Sequence, residues 1–170
     1  QSHNSVLVEL ADHLELIEVP QNETRSLAVI SKAREVKPDK PLTKAIVTHH
    51  HFDHSGGIRA AIAEDLTLVT HELNKPFFEE LAQRKHSIVQ DALAKHPRAP
   101  KIETIQDEAV VQDATQTMRL YKVDDPTGHS DSMLMVYFPY DRILVQGDLY
   151  TTTATAFPRA ATLNDNIQKR

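Results

Sequence analysis

Short apolar runs broken by polar pairs open the chain. Val6-Leu7-Val8-Glu9-Leu10 and Leu14-Glu15-Leu16-Ile17-Glu18-Val19 are separated by Asp12 and His13, a pattern that predicts two strands in a hairpin closing at Pro20. The period then changes. Leu27, Ile30 and Ala33 recur at helical spacing behind the capping residue Asn22, and Pro38 stops the run, so a helix is predicted from about Glu23 to Val36. Residues 44–48 read as a strand, 58–64 as a helix and 66–70 as another strand. Asn74 and Pro76 open a long helical pattern whose buried stripe would be Phe78, Leu81, Ile88, Ala92 and Leu93, ending before Pro97.

The proline-rich stretch 96–100 reads as a loop, because strand patterns resume beyond it at 102–105, 109–112 and 118–123. Asp125-Pro126-Thr127-Gly128 marks a turn, apolar runs follow at 133–138 and 142–146, and a last helix is expected near Asn164. Strands interleaved with helices, without an internal repeat, indicate a layered α/β fold. At 170 residues the whole chain, 1–170, is expected to form a single domain, a size that buries roughly 70% of the surface the unfolded chain exposes.

Composition narrows the function. A formal charge of -5 without a basic run lacks the footprint of a nucleic-acid binder. No apolar stretch approaches the roughly 18 residues needed to cross a bilayer, and Gln1-Ser2-His3-Asn4 has neither part of a signal peptide. No membrane association is therefore expected. The compartment stays open between the cytoplasm and an exported location after leader removal, since a chain with no cysteine tolerates either redox state. The same lack excludes disulfides, thiolate metal sites and a cysteine nucleophile. Oligomeric state and substrate identity leave no trace.

Histidines, by contrast, number ten, and four of them fall between His49 and His54. The segment Thr48-His49-His50-His51-Phe52-Asp53-His54-Ser55-Gly56-Gly57 directly follows a strand pattern. Alternation along an extended chain points His49 and His51 one way and His50 the other, so two imidazoles can grip one ion. A turn then lets Asp53 and His54 face a second ion, with Gly56 and Gly57 keeping the backbone close. A purification tag would be terminal and uninterrupted, whereas this cluster is internal and broken by Phe52 and Asp53. His129 and Asp148 are two further ligand types just beyond predicted strands. A lone histidine after a turn is often merely solvated, and a Gly-Asp pair is often a plain turn, but the cluster favours ligation for both. Imidazole with carboxylate suits zinc and admits iron or manganese, while the lack of sulfur disfavours copper(I).

With these residues the chain resembles the metallo-beta-lactamase superfamily. Its His-x-His-x-Asp-His hallmark stands here as His49, His51, Asp53 and His54, Thr127-Gly128-His129-Ser130 is similar to its second histidine motif, and Gly147-Asp148 to its bridging aspartate. The resemblance implies an αββα sandwich with the site at one edge of two sheets. It places His49, His51 and His129 on a first metal, Asp53 and His54 on a second, and Asp148 between them. Three features depart from the pattern. Members commonly carry further strands before the hairpin. Many have an Asp-x-Gly turn where this chain has Glu18-Val19-Pro20. The last ligand histidine of the second metal has no counterpart after His129, which implies either a truncated product or an incomplete second site.

The implied activity is metal-dependent hydrolysis of a small-molecule ester, thioester, lactone or amide, with two zinc ions as the expected cofactor. Zinc lowers the pKa of bound water from 15.7 to about 7, and Asp53 is the expected catalytic residue, orienting that water and shuttling its proton. Lack of cysteine looks more like esterase, lactonase and thioesterase members than the best-known beta-lactamases. Two other readings stand beside it: a mononuclear-iron oxygenase of sulfur compounds on the same fold, and a non-catalytic metal-binding module. Among other polar residues, His50 is expected to support the site from behind or to pack, His71 to lie near its rim, His86 and His96 to be solvated, and Tyr150 with Thr151, Thr152 and Thr153 either to border the pocket or to form an ordinary loop.

Overall fold

The alternation of the first two runs produces β1 (Val6–Glu9) and β2 (Leu14–Ile17), joined antiparallel with Val6 opposite Ile17. The computed structural model describes residues 3–151 and 159–170. Each later strand of this sheet is reached through helices, which imposes parallel pairing: β3 (Leu42–Ile46), β4 (Thr67–His71) and β5 (Ile102–Ile105) extend it in the order β1-β2-β3-β4-β5. No helix intervenes between β6 (Glu108–Gln112), β7 (Thr117–Lys122), β8 (Leu134–Phe138) and β9 (Ile143–Val145), which form a second, antiparallel sheet in sequence order, with tight turns joining β6 to β7 and β8 to β9 and a longer loop, 123–133, joining β7 to β8.

Side chains of opposite parity divide the interior into three apolar layers. Leu14, Leu16, Ala45 and Leu68 face the helices α1 (Glu23–Val36), α3 (Ile58–Ala63), α4 (Lys75–Gln83) and α5 (Ala92–Lys95). On the other face, Val8, Ile17, Ile46 and Val69 meet Met118, Leu120, Leu134 and Val136 of the second sheet. The outer face of that sheet, with Tyr121, Met133 and Met135, is packed by Leu163 of α6 (Ala160–Gln168). Helix, sheet, sheet and helix are thus stacked in the expected αββα order. Among the described residues no helix is long and apolar enough to cross a membrane.

Capping explains the first helix: the Asn22 side chain accepts the Arg25 N–H at 2.9 Å. The long helix expected from Asn74 is divided, with α4 ending at Gln83 and α5 not starting until Ala92. Arg59 is the reason. Its guanidinium donates to the Leu81 and Ala82 carbonyls and pairs with Asp91, whose carboxylate accepts the Ala94 N–H at 2.8 Å. The break gives the last carbonyls of α4 and the capping carboxylate of α5 one shared partner. Ile88, expected in the buried stripe, is 98% exposed. His86 is exposed, as expected, and its ring also lies 3.2 Å from Asp91. The last helix starts at Ala160, earlier than expected.

Candidate metal centre

All six sequence-selected side chains come together where the carboxyl end of β3 meets the β7–β8 connection and the residues after β9. After β3 the chain runs extended to His51, then closes into the one-turn helix α2 (Phe52–Ser55), in which His54 N–H donates to the His51 carbonyl at 3.0 Å. This bend separates the two functions of the motif. His49, His51, His129 and Asp148 form one group of candidate ligand atoms within 4.8 Å of one another, and His3, Asp53 and His54 form a second.

In the first group His49 is fully buried, its Nε2 3.1 Å from His51 Nδ1 and its Nδ1 3.1 Å from the Thr48 hydroxyl. A hydroxyl accepting the Nδ1 proton leaves the Nε2 lone pair for an ion. His129 Nε2 lies 2.9 Å from Asp148 Oδ2, and that oxygen is 3.5 Å from His49 Nε2. Asp148 Oδ1 turns the other way, 3.1 Å from His54 Nε2. One carboxylate therefore touches both groups, which is the arrangement a bridging ligand needs.

Charge and burial set the protonation states. Burial, reinforced by His49 and His129, lowers the His51 pKa, which favours the neutral imidazole that binds metals. Hydrogen bonding from His49 and His54 holds Asp148 far below the usual carboxylate range despite its burial. For His54, burial acts to lower the pKa, but the carboxylates of Asp148 and Glu18 outweigh it and push the pKa up to about 10. These groups fit a divalent cation: imidazole nitrogens and carboxylate oxygens converge, and an ion would offset the anionic charge on Asp53 and Asp148.

Supporting contacts come from residues far apart in sequence. Glu18 is buried, Oε2 lying 2.8 Å from His54 Nδ1 while Oε1 accepts the Thr48 N–H at 2.9 Å. The Glu18-Val19-Pro20 turn thus holds the motif despite its departure from Asp-x-Gly, with Glu18 in a left-handed backbone conformation at φ 75°. Asp125 arranges the loop before His129 by accepting from the Thr127, His129 and Ser130 amides. His50 turns away from the cluster, as expected, and its Nδ1 is 3.4 Å from Ser132 Oγ, within a buried network in which Asn74 bonds Thr70 and Ser132.

Other expectations are corrected or divided. Gly56 and Gly57 serve packing rather than the ligands, because a Cβ would strike the Gln21 carbonyl at 2.1 Å or Ser26 Oγ at 1.9 Å. His71 is buried and accepts the Leu73 N–H at 3.2 Å, so it caps a helical turn and does not lie on a rim. His96 is exposed, as expected. Tyr150 and Thr151 border a cleft of about 490 Å³ beside the second group, together with Asp53, Asp148 and Arg159; Thr152 and Thr153 lie outside the described residues.

A sequence model of the metallo-beta-lactamase superfamily matches residues 2–162. The chain belongs to the metallo-beta-lactamase superfamily. Solved structures of similar fold include a metallo-beta-lactamase from Pontibacter korlensis, 19% identical, with a TM-score of 0.70 over 96% of this chain and 72% of that one. The metallo-beta-lactamase IND-7 is 16% identical, with a TM-score of 0.71 over 97% and 72% of the two chains. A metallo-beta-lactamase from Hirschia baltica gives 15% identity and a TM-score of 0.66 over 97% and 72%. No curated protein matches the sequence. Superfamily membership accords with a hydrolase and with metal binding, and the identities to solved structures extend only to the fold.

Proposed function

We propose that the chain is a dinuclear zinc hydrolase acting on a small-molecule ester, thioester, lactone or amide. His49, His51 and His129 would hold the first ion, Asp53 and His54 the second, and Asp148 would join them. The observation that carries this reading is the divided carboxylate of Asp148, with one oxygen 3.1 Å from His54 and the other 2.9 Å from His129. A carboxylate serving only one imidazole would be satisfied without the second contact. When bound, zinc supplies Lewis acidity and lowers the pKa of water towards neutrality.

The chain's own residues supply the rest. Asp53, with its side chain 25% exposed, borders the cleft and would take a proton from the attacking water. It returns that proton to the leaving group as the bond to the acyl carbon breaks, so the carboxylate is regenerated. Glu18 holds the His54 ring through Nδ1, directing Nε2 towards Asp148 and Asp53. Arg159 adds a cation to the cleft, anchored at 3.4 Å to the Asp148 carbonyl, and would draw an anionic substrate group.

Zinc-loaded protein is expected to hydrolyse members of an ester, thioester, lactone and amide panel, with Asp53→Asn lowering kcat by about 100-fold or more. Full zinc occupancy without turnover on any of these classes would overturn the hydrolase reading. Iron content with oxygen consumption would replace it by the oxygenase.

A further inference from the structure

The second group of ligand atoms contains a residue from the start of the chain. His3 Nε2 lies 3.0 Å from Asp53 Oδ2, and His54 Nε2 approaches the same oxygen at 3.5 Å. All three donor groups fall within 4.8 Å of one another. Two ligands at zinc distances of 2.0–2.1 Å in a tetrahedral shell are separated by roughly 3.3 Å, so both measured separations match those of ligands sharing an ion. The His3 and His54 rings stand edge to face at 84° with centroids 5.7 Å apart.

Hydrogen bonds fix His3 from two sides. The Gln21 side-chain amide is 3.2 Å from His3 Nδ1, and the Arg25 guanidinium donates to the His3 carbonyl at 3.3 Å. Gln21 N–H in turn donates to the Phe52 carbonyl at 3.0 Å, linking His3 to the turn that carries Asp53. A half-turn of the Gln21 amide places its oxygen against Nδ1, where it accepts that proton and leaves the Nε2 lone pair facing Asp53. This is the outer support that ligating histidines ordinarily receive. Gln21 holds a left-handed backbone at φ 67°, a conformation unfavourable for its side chain that persists where surrounding contacts require it.

We propose that His3 is a protein ligand of the second metal, completing with Asp53 and His54 a three-residue set to which Asp148 adds the bridge. The inference rests on the dinuclear reading above and adds to it a ligand drawn from the amino-terminal segment.

Chelator-stripped wild type, His3→Ala and His3→Gln should be titrated with zinc and, in parallel, with cobalt(II) followed by its electronic spectrum and paramagnetically shifted imidazole N–H resonances. Wild type is expected to take two ions. Both variants should keep the first and lose about 100-fold or more in affinity for the second, along with one shifted N–H resonance. Glutamine can maintain a hydrogen bond to Asp53, so its failure to rescue separates ligation from simple tethering. Two ions bound with unchanged affinity in both variants would overturn the role of His3 and leave the dinuclear centre standing. A wild type that binds one ion or none would overturn the dinuclear reading and this inference with it.

Discussion

Glu18 and His54 meet at 2.8 Å, carboxylate to Nδ1, although Glu18 directly follows β2 and His54 lies in the short helix α2 beyond β3. The other Glu18 oxygen takes the Thr48 N–H, so one buried side chain ties the end of β2 to both the start and the finish of the histidine motif. Glu18→Gln is expected to weaken the second metal by about 10–100-fold, because the ligand loses its charged orienting partner. Glu18→Ala should also strip the Thr48 amide of its acceptor and cost about 2 kcal/mol of stability. Zinc titration and urea unfolding of the two variants separate these effects.

His51→Ala and Asp53→Ala test the two halves of the motif. Each is expected to reduce zinc content and abolish hydrolysis with circular dichroism nearly unchanged, since both side chains reach into the site rather than the core. His86→Ala, far from the cluster and paired with Asp91, should leave metal content and turnover at wild-type levels. Equal loss from the His86 variant would show that the site is elsewhere.

Gly147 passes so close to the candidate site that a Cβ there would sit 3.1 Å from His54 Cε1 and 3.1 Å from Thr48 Oγ1. Both neighbours are buried and hydrogen-bonded, so neither yields freely. Gly147→Ala is expected to cost about 1–2 kcal/mol and to weaken the second metal by displacing the His54 ring. Unfolding midpoints and zinc affinity measured on the same preparation check this.

Acid stability isolates the Arg59–Asp91 pair from the metal site. The Arg59 guanidinium holds the Asp91 carboxyl at about 2, below its ordinary 3.8, overcoming the opposing effect of burial. A depressed carboxylate pKa contributes stability that is complete above the unfolded value and is lost as pH falls through the folded one. About 2 kcal/mol should therefore disappear between about pH 4 and pH 2. Arg59→Ala is expected to lose about 3 kcal/mol at neutral pH, since it strands Asp91 and two helix-end carbonyls. In that variant the acid dependence should be correspondingly flatter.

What could be read from sequence follows the reach of local physics. His49, His51, Asp53 and His54 were legible because strand alternation and a tight turn decide where they point. His129 and Asp148 were legible because each follows a strand. Glu18, Gln21 and His3 carried no comparable signal: their contacts with the motif depend on β2 lying beside β3, a juxtaposition created by the parallel crossover. Tertiary contacts also broke the helix after Gln83, where the apolar period continued but Arg59 offered its end a better partner. The glycine pair looked like part of the site from spacing alone, yet the neighbours it must avoid are Gln21 and Ser26.

The dinuclear centre is tested most directly by diffraction from zinc-loaded crystals at wavelengths on either side of the zinc edge. Two anomalous peaks are expected: one within about 2.0–2.3 Å of His49 Nε2, His51 Nδ1 and His129 Nε2, the other beside Asp53 and His54, with an Asp148 oxygen on each. A zinc-loaded crystal with no peak among these side chains, or with its peaks elsewhere on the chain, would contradict it.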